Sequence, residues 1–361
     1  MNRRKFTSLA FAIFFPTIAG AQELTEETKL PPSPENLDKE LPNTTPGPKA
    51  GDVLPELPIP PTAATNQKLF PGFQVSDVKT TGATIRVLSK GDGLPLLLIH
   101  GHPETHVTWH KIASQLAEHY MVVLPDLRGY GDSSKLDYSP KHANYSFRAM
   151  AQDQIEVMAH FGHKRFMVVG HDRGGRVVHR LCLDHPDAVA KASVLDIAPT
   201  LTMYNDTNKE FATKYVWWFL QIQPSPMPEH IISLDPVYYL RDHLAVQGQT
   251  PGAVTPEAMA EYIRCYCCQG TIRAACEDYR AAAGIDLEMD RASDAAGEKI
   301  QAPLLVLWGA QGTVGKLWNV LDTWKVKAAN LVTGSALSCG HLLPEEQPEL
   351  VLKHFKDFFQ A

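Results

Sequence analysis

Gly170-His171-Asp172-Arg173-Gly174 sets a carboxylate between two glycines, directly after the apolar run Arg165-Phe166-Met167-Val168-Val169 and ahead of a helix-like stretch. A strand-to-helix turn of this kind is sharp and strained, projects its central side chain, and needs small flanking residues because backbone passes close by. A serine displayed there would attack an acyl carbon. An aspartate is suited instead to displacing a leaving group from saturated carbon, which leaves an alkyl ester on its own side chain. Esterase, lipase and peptidase chemistry therefore recede. The plain structural alternative is that Asp172 caps a helix and the glycines serve packing.

Two further residues follow in an order that matters. Lys191-Ala192-Ser193-Val194-Leu195-Asp196-Ile197-Ala198-Pro199-Thr200 reads as a buried strand ending on an acid, so Asp196 falls at a strand's carboxyl end, where parallel-sheet enzymes place working groups. Near the C-terminus, Leu337-Ser338-Cys339-Gly340-His341 puts a histidine in a loop ahead of an amphipathic helix. His341 is the candidate general base and Asp196 the residue that orients it. A later strand, Pro303 to Gly309, is followed by Ala310-Gln311-Gly312-Thr313 with no carboxylate, which favours Asp196. Nucleophile, acid and histidine thus run in the order of an α/β-hydrolase. Upstream, Leu96-Leu97-Leu98-Ile99 enters the turn His100-Gly101-His102-Pro103, whose backbone N–H at His102, with that of Arg173, would form an oxyanion hole for ester hydrolysis. Arg173 and Arg176, three residues apart after the nucleophile, would keep Asp172 ionised and could grip a substrate carboxylate. The alternative for either arginine is a structural bridge to a carboxylate such as Asp126 or Asp132.

With these residues in place, the chain from Phe70 to the C-terminus resembles the haloacetate dehalogenase group of the α/β-hydrolases, which includes fluoroacetate dehalogenases. The resemblance rests on His100-Gly101-His102-Pro103, Asp126-Leu127-Arg128-Gly129-Tyr130-Gly131-Asp132-Ser133-Ser134, Gly170 to Arg176, Leu195 to Thr200, Gln223 to Glu229, Cys276-Glu277-Asp278-Tyr279-Arg280-Ala281 and Gly340-His341. It implies that Trp218 and Tyr279 receive the leaving halide. Trp217 stands where the group has a histidine, a departure expected to penalise fluoride more than chloride or bromide. The activity implied is hydrolysis of short 2-haloacids through an aspartyl ester, with no metal and no organic cofactor. An epoxide hydrolase would share Asp172 and His341 but need tyrosines such as Tyr215 and Tyr279 to protonate the epoxide oxygen. A non-catalytic binder on a hydrolase scaffold is the reading from another class.

These side chains need a mostly parallel sheet flanked by helices with an inserted helical cap. Residues 70–199 read as the first part of the core, 200–299 as the cap and 300–361 as the second part. Helical spacing is clear at Ala258-Glu261-Tyr262-Cys265 and from Lys214 to Leu220, and a closing helix is expected over Leu350 to Phe359. Residues 1–21 read as an export signal: Arg3, Arg4 and Lys5 form a basic start, Leu9 to Ile18 an apolar stretch too short to span a bilayer, and Ala19-Gly20-Ala21 a cleavage site. The Arg3-Arg4 pair suggests twin-arginine export, hence a periplasmic or secreted protein. Residues 22–69, rich in Pro, Glu and Thr, read as a disordered tether. With 361 residues, 44% apolar content and a net charge of −6, the chain can bury a core plus cap and carries no sign of nucleic-acid binding. The expected partner is a small-molecule substrate, without stable membrane insertion and with a homodimer as the assembly to test. Among the six cysteines, Cys265, Cys267 and Cys268 lack the histidine spacing of a zinc site.

Overall fold

A computed structural model describes residues 67–360. The export-signal and tether expectations lie outside them, apart from Gln67 to Leu69, which are helical. Eight strands form one sheet in the order β1-β2-β4-β3-β5-β6-β7-β8. The strands are β1 Gln74–Lys79, β2 Thr84–Lys90, β3 Leu94–Ile99, β4 Tyr120–Pro125, β5 Phe166–His171, β6 Val189–Leu195, β7 Leu304–Gly309 and β8 Val332–Leu337. β1 and β2, and β2 and β4, pair antiparallel; from β4 onward every pairing is parallel.

The central strands are apolar without alternation because both faces of a parallel sheet are covered. Leu97, Ile99 and Val168 pack with Val177, Val178 and Leu181 on one face. Leu96, Leu98 and Val169 pack with Val351, Phe355 and Phe359 on the other. Successive side chains of one strand therefore serve two cores, as the two-residue period of a strand requires. The helices along the sheet include α1 Ala113–Leu116, α2 Phe147–His160 and α3 Arg173–Asp184.

Between β6 and β7 the chain builds eight helices: α4 Thr200–Asn205, α5 Lys209–Lys214, α6 Val216–Gln221, α7 Met227–Leu234, α8 Pro236–Gln247, α9 Pro256–Tyr266, α10 Thr271–Ala283 and α11 Ile285–Ala296. The expected helix over Lys214 to Leu220 is broken at Tyr215, whose φ of −114° and ψ of 42° leave the helical region. The break lets the adjacent Trp217 and Trp218 both be buried, on different neighbours. After β7 come α12 Thr313–Leu317 and α13 Val320–Lys325, and after β8 come α14 Leu343–Glu346 and α15 Pro348–Phe359.

Hydrogen bonds and ion pairs fasten the inserted helices to α3 and to the loop after β4. The Arg173 guanidinium holds Asp278, the Tyr130 hydroxyl donates to Asp278 Oδ2 at 2.6 Å, Arg264 holds Asp132 at 2.8 Å, and Arg180 holds Asp290 at 3.0 Å. Asp126 is taken by His106, whose Nδ1 lies 2.8 Å away. All six cysteines are free thiols, four of them buried. Among the described residues no helix is long and apolar enough to cross a membrane.

Candidate active site

β5 ends at His171 and α3 starts at Arg173, so Asp172 alone makes the corner, with φ +46° and ψ −112°. That is a rare backbone state for a residue with a side chain and is held only where the surroundings over-determine it. The surroundings here are tight. A Cβ on Gly170 would meet Gly174 O at 2.2 Å, and one on Gly174 would meet Ile99 O at 2.3 Å. Both glycines are thus required by the close approach of backbone, as the spacing in the sequence indicated.

The buried Asp172 carboxylate has distinct neighbours on its two oxygens. Oδ1 accepts from the backbone N–H of His102 at 3.1 Å, and Oδ2 lies 3.8 Å from His341 Nε2. Burial pushes the acid toward its neutral form, but His341, His171, Arg176 and Arg173 outweigh it and hold the group well below the usual carboxylate range. Asp196, also at positive φ, follows β6 directly. Its Oδ1 accepts from Gly309 N at 2.8 Å and its Oδ2 lies 2.5 Å from His341 Nδ1. His341 therefore keeps Nε2, which makes no hydrogen bond among the described residues, turned toward Asp172. Asp172, Asp196, His341 and the His102 amide come together as the sequence indicated. Arg173 opens α3, so its N–H belongs to the helix's first turn, where no helical acceptor exists.

The two arginines diverge. Arg173 Nε and Nη2 are both engaged by Asp278, and its guanidinium lies 4.1 Å from the Tyr279 ring centre. Neither Asp126 nor Asp132 is its partner. Arg176, equally buried, bonds only Thr200 Oγ1 at 2.7 Å and Met203 Sδ at 3.2 Å, and its Nε has no partner. Its guanidinium lies 4.6 Å from the Trp218 ring centre. Among the described residues no carboxylate comes within ion-pair distance of it, so this is a desolvated cation with no counterion beyond the nearby Asp172. Burial and the Arg173 charge both weaken its hold on its proton.

Trp218 and Tyr279 face each other with ring centres 6.3 Å apart, and the Trp218 Nε1–H is a buried donor without a partner. Trp217 packs on Tyr215 and, at 4.3 Å, on the ring of His243. It lines a cavity of about 520 Å³ that reaches His341 and Tyr215. Asp172 is not in that cavity's wall; the cavity meets the site from the side of His341.

Three supporting groups escaped the sequence. His171, beside Asp172, has Nδ1 2.8 Å from Glu104 Oε2 and Nε2 2.8 Å from His341 O, and its ring lies 4.6 Å from that of His341. Burial disfavours its charge, yet the Glu104 carboxylate outweighs this and pushes it up to about 9. Glu346 accepts from Gly340 N at 3.0 Å, Leu342 N at 2.9 Å and Gln249 N at 2.9 Å, clasping the backbone on both sides of His341. Asp278 was visible inside a recognised motif, but nothing in that motif marked it as the partner of Arg173.

Residues 95–223 match the alpha/beta hydrolase fold family. A fluoroacetate dehalogenase from Burkholderia sp. is 40% identical over 291 residues, covering 80% of this chain and 95% of that protein. A soluble epoxide hydrolase from Corynebacterium sp. (strain C12) is 31% identical over 282 residues, covering 77% and 94%. A solved structure assigned to the α/β hydrolases, from Nostoc sp. PCC 7120, is 52% identical with a TM-score of 0.79, covering 80% of this chain and 99% of that one.

Proposed function

The chain belongs to the α/β-hydrolase family, and from that premise we propose that it hydrolyses the carbon–halogen bond of short 2-haloacids through an ester on Asp172. The observation that carries this reading is Arg176, a buried cation beside the nucleophile with no carboxylate of its own. A substrate carboxylate would supply the missing counterion and accept the free Nε–H. The similarity to a fluoroacetate dehalogenase supports the same substrate class.

The chemistry follows from which oxygen is free. Oδ1 is held by the His102 amide, so Oδ2 attacks the halogen-bearing carbon and the halide departs with the bonding pair. Trp218 and Tyr279 would receive it, the buried Trp218 Nε1–H being without a partner of its own. Oδ1 then becomes the ester carbonyl oxygen. His341 Nε2 takes a proton from water, the hydroxide attacks Asp172 Cγ, and the oxyanion forms where the His102 amide already donates. Collapse expels the product's oxygen, which takes the proton back from the His341 imidazolium to give the hydroxyacid, and Asp196 steadies that imidazolium while it exists. In a single turnover in labelled water, the product should carry unlabelled oxygen from Asp172; labelled product in that first turnover excludes the ester route. His341→Ala should stall as a covalent adduct on Asp172, visible in the intact mass.

Epoxide hydrolysis is the second reading, supported by Tyr215 lining the cavity beside His341 and by the 31% identical relative. A neutral epoxide leaves Arg176 unpaired, which ranks it lower. Chloroacetate, bromoacetate and styrene oxide assayed side by side separate the two. The halide preference proposed is chloride and bromide over fluoride, because Trp217 lacks the compact donor of an imidazole. Losing one well-placed donor costs roughly 10²–10³ in rate. Trp217→His should therefore raise fluoroacetate turnover selectively, and efficient defluorination by the unaltered protein would reverse the preference.

A further inference from the structure

Helix α8 carries Tyr239, His243 and Gln247 at spacings of four, so the three lie along one face. That face lines the 520 Å³ cavity which reaches His341. Each has a buried polar atom with no partner: the Tyr239 hydroxyl, both ring nitrogens of His243, and Gln247 Oε1. His243 is only 3% exposed. Tyr266, stacked on Tyr239 with ring centres 6.1 Å apart, adds another unpartnered hydroxyl. A buried polar group left without a partner costs about 1–3 kcal/mol, so a row of them in one place suits a hydrogen-bonding ligand. Burial keeps His243 neutral down to about pH 3, and none of these four side chains is charged at neutral pH. The charged side chains lining the same cavity are Asp242, Lys214 and Lys316, outside this row, with the neighbouring His341 as its only other titratable imidazole.

Resting on the dehalogenase reading above, we infer that this face is a second subsite, which binds an uncharged hydrogen-bonding substituent, such as a hydroxyl, on C3 of a 2-haloacid. A hydroxyl needs one donor and one acceptor, and it would find them on two neighbours of this row, a ring nitrogen of His243 and the hydroxyl of Tyr239 or the carbonyl of Gln247. A cavity of this volume falls within the range of about 300–1,000 Å³ that takes far larger ligands than a two-carbon acid. Arg176 and the row on α8 then divide the labour: the cation fixes the carboxylate, and the neutral face selects the substituent.

The test compares 2-chloro-3-hydroxypropanoate with 2-chlorobutanoate, which have the same heavy-atom skeleton and differ in one hydroxyl, using chloroacetate as reference and chloride release as readout. The hydroxylated acid should be favoured at least ~10-fold in kcat/KM, since a site built to bond a hydroxyl discriminates strongly against the analogue lacking it. Tyr239→Phe, which keeps the ring stacked on Tyr266, and His243→Phe should each pull that ratio toward one. Equal kcat/KM for the two acids in the unaltered protein overturns the subsite and leaves the cavity as a water-filled approach to His341. No chloride from any of the three, chloroacetate included, refutes the dehalogenase reading itself.

Discussion

A buried guanidinium is stable only against something that answers its charge, and the two arginines after Asp172 show how little spacing alone says about which one is answered. Their positions in the sequence are equivalent readings of one helix face. Only the fold brings Asp278 from a helix 105 residues away to Arg173 and nothing comparable to Arg176. Arg176→Leu should lower kcat/KM for chloroacetate by roughly 10²-fold or more, from a loss of about 2–5 kcal/mol on truncating one partner of a buried charge pair, while neutral chloroacetamide is spared. Equal losses for both substrates would mean that the arginine supports the fold and not the carboxylate. The triad was legible because each member sits at an element's end in a fixed chain order. Glu104 and His171 were not: their pairing joins the residue just past the His100 to Pro103 turn to the end of β5, across 67 residues, and leaves no periodic trace.

Elements were legible where burial is uniform and obscure where backbone has to break. β3, β5 and β6 announce themselves as apolar runs, whereas the interruption at Tyr215 comes from packing two successive tryptophans and has no turn residue to mark it. The same holds for α14, a four-residue helix whose last residue, Glu346, ties the His341 loop to Gln249 just beyond α8. The His341 N–H also donates to Gln247 O at 3.0 Å, so α8 ends directly on the His341 backbone. Glu346→Ala should release this loop and slow ester hydrolysis more than ester formation. Rapid-quench intact-mass measurements should then find the Asp172 adduct accumulating; parallel slowing of both steps would point to general loosening.

For the molecule as a whole, stability should fall on the alkaline side. His171 is raised to about 9 from an ordinary 6.5, so its contribution is complete below about 6.5 and disappears as pH rises through 9. Asp286, pushed up to about 8 by burial, is held as the neutral acid; what it contributes is greatest below its ordinary 3.8 and is lost as pH climbs through 8. Its Oδ1 accepts from Phe147 N at 3.0 Å and its Oδ2 has no partner. Asp286→Asn, which can keep that bond without a charge, should recover on the order of 1–3 kcal/mol at pH 9 relative to the unaltered chain. Thermal midpoints from pH 6 to 10 check both, and a flat profile would refute them. The buried tie of Arg173 and Tyr130 to Asp278, with Arg264 on Asp132, also bears on traffic. Lifting the inserted helices away would strand those charges, so the roof stays seated through each catalytic cycle and admission works as a sieve, not a jaw. Solvent viscosity should then leave turnover nearly untouched, and the mouth's width, more than any hinge, becomes the place where a new substrate is gained or refused.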